Sequence, residues 1–220
     1  MKYVLLDLDG TLLDFKASEK KAFINTIYKF KDIIPSDDIC IKFSQINEQL
    51  FNEFAKGNLK RIEFQRLRFK KMTELLNTDI DEVKFNEFYV KNLEVQADLY
   101  NDAIILLDYL KNKYKLYVAS NGMYKVQINR LKIAKILDYF TDIFISEDIG
   151  YNKPDPNFFK AIISKIGDNN LDEYIIIGDR IDADIKGGIS FGINAILVNR
   201  DNIKTEYKNV KNLKDIIGIL

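Results

Sequence analysis

The sequence predicts an α/β protein: a doubly wound, Rossmann-like parallel sheet with a helical bundle inserted after its first strand. Three observations carry that expectation. Five short apolar runs, YVLLD (3 to 7), KLYVAS (115 to 120), DIFIS (142 to 146), EYIIIGD (173 to 179) and NAILVN (194 to 199), end at polar or glycine-rich turns. Helical periods separate the last four runs from one another. Between 16 and 96 there is no strand-like run at all.

Each element has its own reason. The runs have the length and β-branched content of strands buried on both faces. Helices are expected over 101 to 113, 123 to 139, 156 to 166 and 182 to 190; in the first, Ile104, Ile105, Leu107 and Leu110 make an apolar stripe. Strand and helix in alternation make a doubly wound sheet. In the insert, SEKKAFINTIYKF, DDICIKFSQINEQLFNEFAKG, LKRIEFQRLRFKKMTELL and IDEVKFNEFYVKNL are helical periods. Asp32 to Pro35, Gly57-Asn58 and Asn77 to Asp79 break them into about four helices. Residues 1 to 15 and 97 to 220 are therefore expected to form the core domain, and 16 to 96 a helical cap or lid. Residues 207 to 220 read as a short closing helix.

Composition narrows the class. The 220 residues suffice for a core domain with a smaller companion. Hydrophobic residues at 47% and aromatics at 12% set disorder along the whole chain aside. Thirty-three basic residues balance thirty-three acidic ones, so no global charge points to a nucleic-acid polymer or an anionic membrane. No apolar run approaches a membrane span, and the N-terminus lacks a signal-peptide pattern. The single cysteine, Cys40, forbids an internal disulfide and fits a reducing cytoplasm. A monomer is the default expectation.

Two absences narrow the chemistry. Without histidine, Ser-His-Asp hydrolysis, phosphohistidine chemistry and His-ligated zinc are excluded. Cys40 is followed by IKFSQ and Ile46, so the arginine of a cysteine phosphatase is missing, and a small core hydrophobe is expected there. Catalysis must run on carboxylates, lysines, hydroxyls or a metal.

Against that background the acids after the first strand stand out. Asp7, Asp9 and Asp14 follow an apolar run, where lone carboxylates are costly without a partner. Other runs also end in polar groups: Ser120, Asn121 and Gly122 after the second, Lys153 in GYNKPDP beyond the third, and Asp179, Asp182 and Asp184 in GDRIDADIKGG after the fourth. Ligands of an open parallel sheet bind outside the carboxyl ends of its strands, so these groups are expected to converge. Converging carboxylates without histidine or cysteine suit a hard cation, and few ligands with room for water favour Mg²⁺. With a hydroxyl, an amide and a lysine nearby, the cluster reads as a magnesium-assisted phosphoryl-transfer site.

DLDGT at 7 to 11, SNG at 120 to 122, Lys153 in KPDP and GDRIDAD at 178 to 184 resemble, in order, the four motifs of the haloacid dehalogenase superfamily of phosphatases. The likeness spans the chain, because a helical cap after motif one is that superfamily's first (C1) cap type. The segment FAKGNLKRIEFQRLRF further resembles the branch that holds bacterial pyrimidine 5′-nucleotidases.

The resemblance implies roles. Asp7 is the nucleophile that becomes a transient aspartyl phosphate, and Asp9 the general acid and then base. Ser120 and the amide of Asn121 bind phosphoryl oxygens, and Lys153 offsets the charge of nucleophile and phosphate. Mg²⁺ is held by Asp7, the backbone carbonyl of Asp9 and Asp179, with Asp184 bound directly or through water. Members that cleave carbon–halogen or carbon–phosphorus bonds lack a carboxylate where Asp9 stands, so its presence favours phosphate esters. Arg180 departs from the small hydroxyl residue expected in the nucleotidase branch. The substrate so implied is a small phosphorylated metabolite, first a nucleoside 5′-monophosphate. Alternatives are a sugar-phosphate phosphatase, a phosphomutase and, more remotely, a non-catalytic phosphorylation-dependent regulatory module.

Blander readings stand beside these. A calcium loop at Asp7 and Asp9 fails, because Leu12 and Leu13 occupy oxygen-ligand positions. Taken alone, Ser120-Asn121-Gly122 is a turn, Lys153 an exposed loop lysine and Asp184 a helix cap. Asp182 is expected to solvate its helix and Asp14 to be structural or hinge-associated. Lys60, Arg61, Arg66, Arg68, Lys70 and Lys71 read as a solvated face, with attraction of an anionic substrate as the sharper alternative. Phe51, Phe54, Phe64 and Phe69 read as packing rather than as a platform for a base.

Overall fold

The computed structural model describes residues 1–31 and 34–220. The chain divides into two compact units, Met1–Asp14 with Asp98–Leu220, and Phe15–Ala97.

The first unit is a six-stranded parallel sheet: β1 (Tyr3–Leu6), β2 (Lys115–Ser120), β3 (Asp142–Ile145), β4 (Tyr174–Gly178), β5 (Asn194–Val198) and β6 (Asn209–Val210). Their order is β3-β2-β1-β4-β5-β6, so the winding reverses between β1 and β4. All five expected strands are present, each within its apolar run. Alternation along β1 sends Val4 and Leu6 to one face and Tyr3 and Leu5 to the other. The first face packs Val118, Ile175, Ile177 and Ile196 with Leu106, Leu107 and Leu110 of a helix over Ala103–Leu110. The second packs Tyr117, Ala119, Tyr174 and Ile176 with Phe158, Phe159, Ile162 and Ile163 of a helix over Pro156–Ile166. Burial on both faces is why the strands read as unbroken apolar runs. Each buried Leu, Ile or Phe contributes about 1.5–3 kcal/mol.

Local chemistry sets the ends. The helix over Pro156–Ile166 starts where the Asp155 carboxylate accepts the Asn157 amide (2.8 Å) and stops at Gly167, whose φ is +82°. The helix expected over 123 to 139 ends at Ile133, where Lys135 takes a φ of +57°, and resumes as a 3₁₀ turn at Leu137–Tyr139. The stretch 182 to 190 splits into a π-helical segment, Ile181–Lys186, and a helix over Gly187–Phe191. The closing stretch holds β6, paired with Leu197 and Val198, before a 3₁₀ segment at Leu213–Gly218. Two residues are too few to show a period in sequence. A short helix at Ser146–Ile149 was likewise invisible.

The second unit has α1 (Phe15–Lys31), α2 (Asp37–Ala55), α3 (Arg61–Leu75) and α4 (Glu82–Glu94). The Ser36 and Asp81 side chains cap α2 and α4 by accepting the Ile39 and Lys84 amides. The expected breaks fall where Gly57 (φ +80°) and Asn77 (φ +46°) turn left-handed. Asp32, in the third expected break, lies outside the described residues. Rings make the bundle core: Phe23 stacks on Phe43 at 4.1 Å, and Phe69 meets Phe85 at 4.9 Å and Tyr89 at 5.3 Å. Phe54 and Phe64 are buried against each other, as packing requires, and Cys40 is buried too. Lys60, Arg66, Lys70 and Lys71 are exposed. Arg68 instead turns inward: it is buried, bonded to Asn47 and Asn86 and stacked on Phe64, Phe69 and Tyr89. Among the described residues no helix is long and apolar enough to cross a membrane.

Candidate active site

β1 delivers the first acid. Asp7 follows it, its amide donating to the Ile177 carbonyl of β4 (2.9 Å), and its side chain is buried. The chain then turns back, with the Leu12 and Leu13 amides donating to the Leu8 carbonyl (2.9 and 2.8 Å). Gly10 closes the turn with a φ of +93°, and a β-carbon there would lie 2.2 Å from Asp179 Oδ2. Only glycine lets the two strand ends approach this closely. Asp14 donates its amide to the Asp98 carbonyl (2.7 Å), which joins the two ends of the sheet unit's chain.

β4 delivers the next pair. Asp179 follows its last residue and accepts the Thr11 hydroxyl (3.3 Å). In the π-helical segment the Ile185 amide reaches back to the Arg180 carbonyl (3.3 Å), and such wide turns concentrate at functional sites. Asp184 within it is 1% exposed and accepts the Arg180 amide on Oδ2 (3.0 Å). Asp182, on the outside, is exposed and pairs with Lys186 (2.7 Å).

Lys153 enters from the loop before the helix over Pro156–Ile166, 2% exposed. Asn121 clasps the backbone there, donating to the Lys153 carbonyl (2.8 Å) and accepting its amide (2.7 Å). The Asn121 side chain thus holds the lysine's backbone through its Oδ1 and one of its two Nδ2 protons. Lys153 Nζ donates to Asp7 Oδ1 (2.7 Å), Asp184 Oδ1 (2.6 Å) and the Ala119 carbonyl (2.6 Å). An ammonium has three protons, and all three are engaged. The lysine orients the nucleophile candidate and supplies charge, while direct bonding to a ligand needs one of these contacts to open.

One oxygen each from Asp7, Asp179 and Asp184 lies within 4.8 Å of the others. Three carboxylates against the Lys153 ammonium, when all are ionised, leave an excess of two negative charges (three minus one). Burial pushes Asp7 up to about 7, the Asp184 carboxylate adding to the rise and Lys153 opposing it. Burial, then Asp7 and Asp184, hold Asp179 well above the usual range. On Lys153 burial acts downward, yet Asp184 and Asp7 outweigh it and raise the ammonium above its ordinary value. An oxygen-only donor set short of two positive charges is the environment a hard divalent cation fits.

Asp9 lies apart from this triad. Its Oδ1 accepts Arg130 Nη1 (2.6 Å) and its Oδ2 accepts Gln127 Nε2 (2.7 Å). Gln127 also donates to Ser120 Oγ (2.9 Å). Neither Gln127 nor Arg130 was singled out in sequence. The signal is that Gln127, Arg130, Leu131 and Ala134 recur at i, i+3, i+4 and i+7, which puts two polar residues on the helix face expected to be apolar.

The family of haloacid dehalogenase-like hydrolases matches the chain over residues 1–192. The chain belongs to that family. Among the haloacid dehalogenase-like hydrolases it resembles, YfnB of Bacillus subtilis is 31% identical over 198 residues, 90% of this chain and 84% of that protein. A crystal structure of YfnB bound to magnesium superposes with a TM-score of 0.92 at 28% identity, covering 100% of this chain and 98% of that one. The pyrimidine 5′-nucleotidase PynA of Streptococcus pneumoniae is 30% identical over 204 residues, 92% of this chain and 86% of that protein. The pyrimidine 5′-nucleotidase YjjG of Escherichia coli is 26% identical over 199 residues, 90% of this chain and 85% of that protein.

Proposed function

We propose that this hydrolase is a Mg²⁺-dependent phosphatase of small phosphomonoesters, working as a monomer in the cytoplasm, with nucleoside 5′-monophosphates as its leading substrate class. One observation carries the reading: two buried carboxylates, Asp7 and Asp184, a half-buried third, Asp179, and one buried ammonium converge at the carboxyl ends of β1 and β4, with Asp9 two residues beyond Asp7. The nucleotidase names of PynA and YjjG support the substrate class. Residues 16–96 are read as the cap that selects the leaving group, which agrees with the interdomain movement described for YfnB.

In this reading an Asp7 carboxylate oxygen attacks phosphorus as the ester P–O bond breaks, and Asp9 gives its proton to the departing oxygen. Water then attacks the phosphoryl group on Asp7, Asp9 takes the water's proton, and phosphate leaves with Asp7 restored. Ser120 and the Asn121 amide hold phosphoryl oxygens, and Lys153 keeps Asp7 oriented. Asp7, Asp179, Asp184 and the Asp9 carbonyl would hold Mg²⁺, which supplies charge neutralisation of the phosphoryl oxygens when bound. Phosphate-ester hydrolysis needs accelerations up to ~10²¹, so preorganised charge must do most of the catalysis.

The test is phosphate release from a panel of nucleotides, sugar phosphates and small phosphorylated acids, with Mg²⁺, with EDTA and with Asp7→Asn. Release that needs both metal and Asp7 supports the reading, and the preferred ester names the substrate class. No release by folded, Mg²⁺-bound protein overturns it. Phosphoryl return to sugar in place of water would identify a mutase.

A further inference from the structure

The helix over Tyr124–Ile133 carries a polar pair that the mechanism above leaves unused. Gln127 is 1% exposed and Arg130 is fully buried, one turn apart on one face. We propose that Gln127 and Arg130 are positioning residues: together they aim Asp9, and Gln127 also commits the Ser120 hydroxyl to donating toward substrate. The proposal rests on the phosphatase reading and deepens it.

The bonding directions make the case. Arg130 has no acceptor, so the oxygen of Gln127 must face it, and Nη1 donates to Gln127 Oε1 at 3.0 Å. That leaves the Gln127 amide nitrogen pointing the other way, with one proton on Asp9 Oδ2 (2.7 Å) and one on Ser120 Oγ (2.9 Å). A flipped amide would set its oxygen against the Asp9 carboxylate, so Arg130 locks Gln127 in one sense. Arg130 Nη1 meanwhile holds Asp9 Oδ1 at 2.6 Å, and both oxygens of Asp9 are tied to one rigid helix.

The same amide decides what Ser120 can do. Its Oγ accepts from the Gly122 amide (3.2 Å) and from Gln127 (2.9 Å). With both lone pairs used, the hydroxyl proton remains for an acceptor such as a phosphoryl oxygen. A hydroxyl held as donor before substrate arrives need not reorient during reaction. Gly122 is part of the arrangement, because a β-carbon there would lie 2.6 Å from Gln127 Nε2. The third residue of Ser-Asn-Gly thereby makes room for a side chain five positions on.

The experiment compares kcat/KM of Arg130→Lys, Arg130→Met and Gln127→Met on two esters. One is p-nitrophenyl phosphate, whose leaving group departs without a proton, and the other is phenethyl phosphate, whose alkoxide needs one. If the pair aims Asp9, the variants lose ~10²-fold on phenethyl phosphate and at most about a tenth of that on p-nitrophenyl phosphate. Gln127→Met additionally weakens inhibition by inorganic phosphate by ~10-fold through Ser120, whereas Arg130→Lys, which keeps a donor facing Gln127 Oε1, does not. In an Asp9→Asn background, Arg130→Lys shifts the ratio between esters no further, since its target is gone. A merely structural role scales both esters by one factor, and that result overturns the inference, as does a ratio shift persisting in Asp9→Asn. Where Arg130→Met does not fold, Arg130→Lys and Gln127→Met carry the same comparison. Wild-type protein that releases phosphate from neither ester nor from any nucleotide, sugar phosphate or phosphorylated acid of the panel overturns the phosphatase reading and this inference with it, while wild-type turnover with equal losses overturns this inference alone.

Discussion

A β-carbon on Gly178 would lie 2.2 Å from Asp184 Oδ2. The last residue of β4 therefore holds open the space into which the π-helical turn folds its acid, and the backbone of one strand is built around a carboxylate six residues later.

Gly178→Ala is expected to expel Asp184 from its place beside Lys153 and abolish phosphate release while the sheet still forms. The clash is with a side chain whose position the π-helical turn dictates, so relief must come at Asp184 itself. Circular dichroism and turnover measured together check this, and full activity in Gly178→Ala would show that Asp184 is dispensable where it stands.

Lys153 faces two carboxylates in the interior, so Lys153→Met leaves buried like charges without a counter-ion. A loss of about 3–5 kcal/mol is expected in urea denaturation under EDTA. Asp184→Asn added to Lys153→Met should restore part of it. Lys153→Arg should also fail, because a planar guanidinium cannot reach the Asp7, Asp184 and Ala119 acceptors that one tetrahedral ammonium serves.

Mg²⁺ at a hundredfold excess over its Kd should stabilise the protein by about 2.7 kcal/mol, raising Tm by roughly 5–10 °C. EDTA should reverse the shift and Asp179→Asn should abolish most of it. Thermal melts in the absence of any ester measure this without reference to turnover. An equal shift in the Asp179→Asn variant would place the ion elsewhere.

Glu19 is buried in α1, where it accepts Asn47 Nδ2. Burial raises its carboxyl above the ordinary 4.5, the Ser44 and Asn47 hydrogen bonds and Arg68 oppose the rise, and Glu48 adds to it. Below the ordinary value both folded and unfolded chains hold the proton; above it only the folded chain does, until its raised pKa is passed. Stability contributed by Glu19 is therefore lost as pH rises through that folded value. Denaturation midpoints across a pH series should fall less steeply in Glu19→Gln than in the wild type, and parallel slopes would refute the assignment.

Much of this was legible in one dimension. The strands announced themselves because a sheet covered on both faces needs unbroken apolar runs, and Gly57 and Asn77 marked helix ends because few residues tolerate a left-handed turn. Asp7, Asp9, Ser120, Lys153, Asp179 and Asp184 could be nominated because polar groups at strand ends cluster wherever a parallel sheet is wound. Arg68, read with a solvated face, turned out to be interior, since its guanidinium stacks on three rings that only the folded bundle assembles.

The fold class, the helical insert and the residue types at the ends of the strands are readable along the chain, because they follow from local periodicity and from residue chemistry. How those residues divide their hydrogen bonds is visible only in the folded chain: all three Lys153 protons on the protein, Asn121 on the lysine's backbone, Asp9 on Gln127 and Arg130. The physical reason is that a donor's partner depends on distance and angle to within a few tenths of an ångström. Such distances are set when strands far apart in the chain are laid side by side, and no spacing along the sequence encodes them.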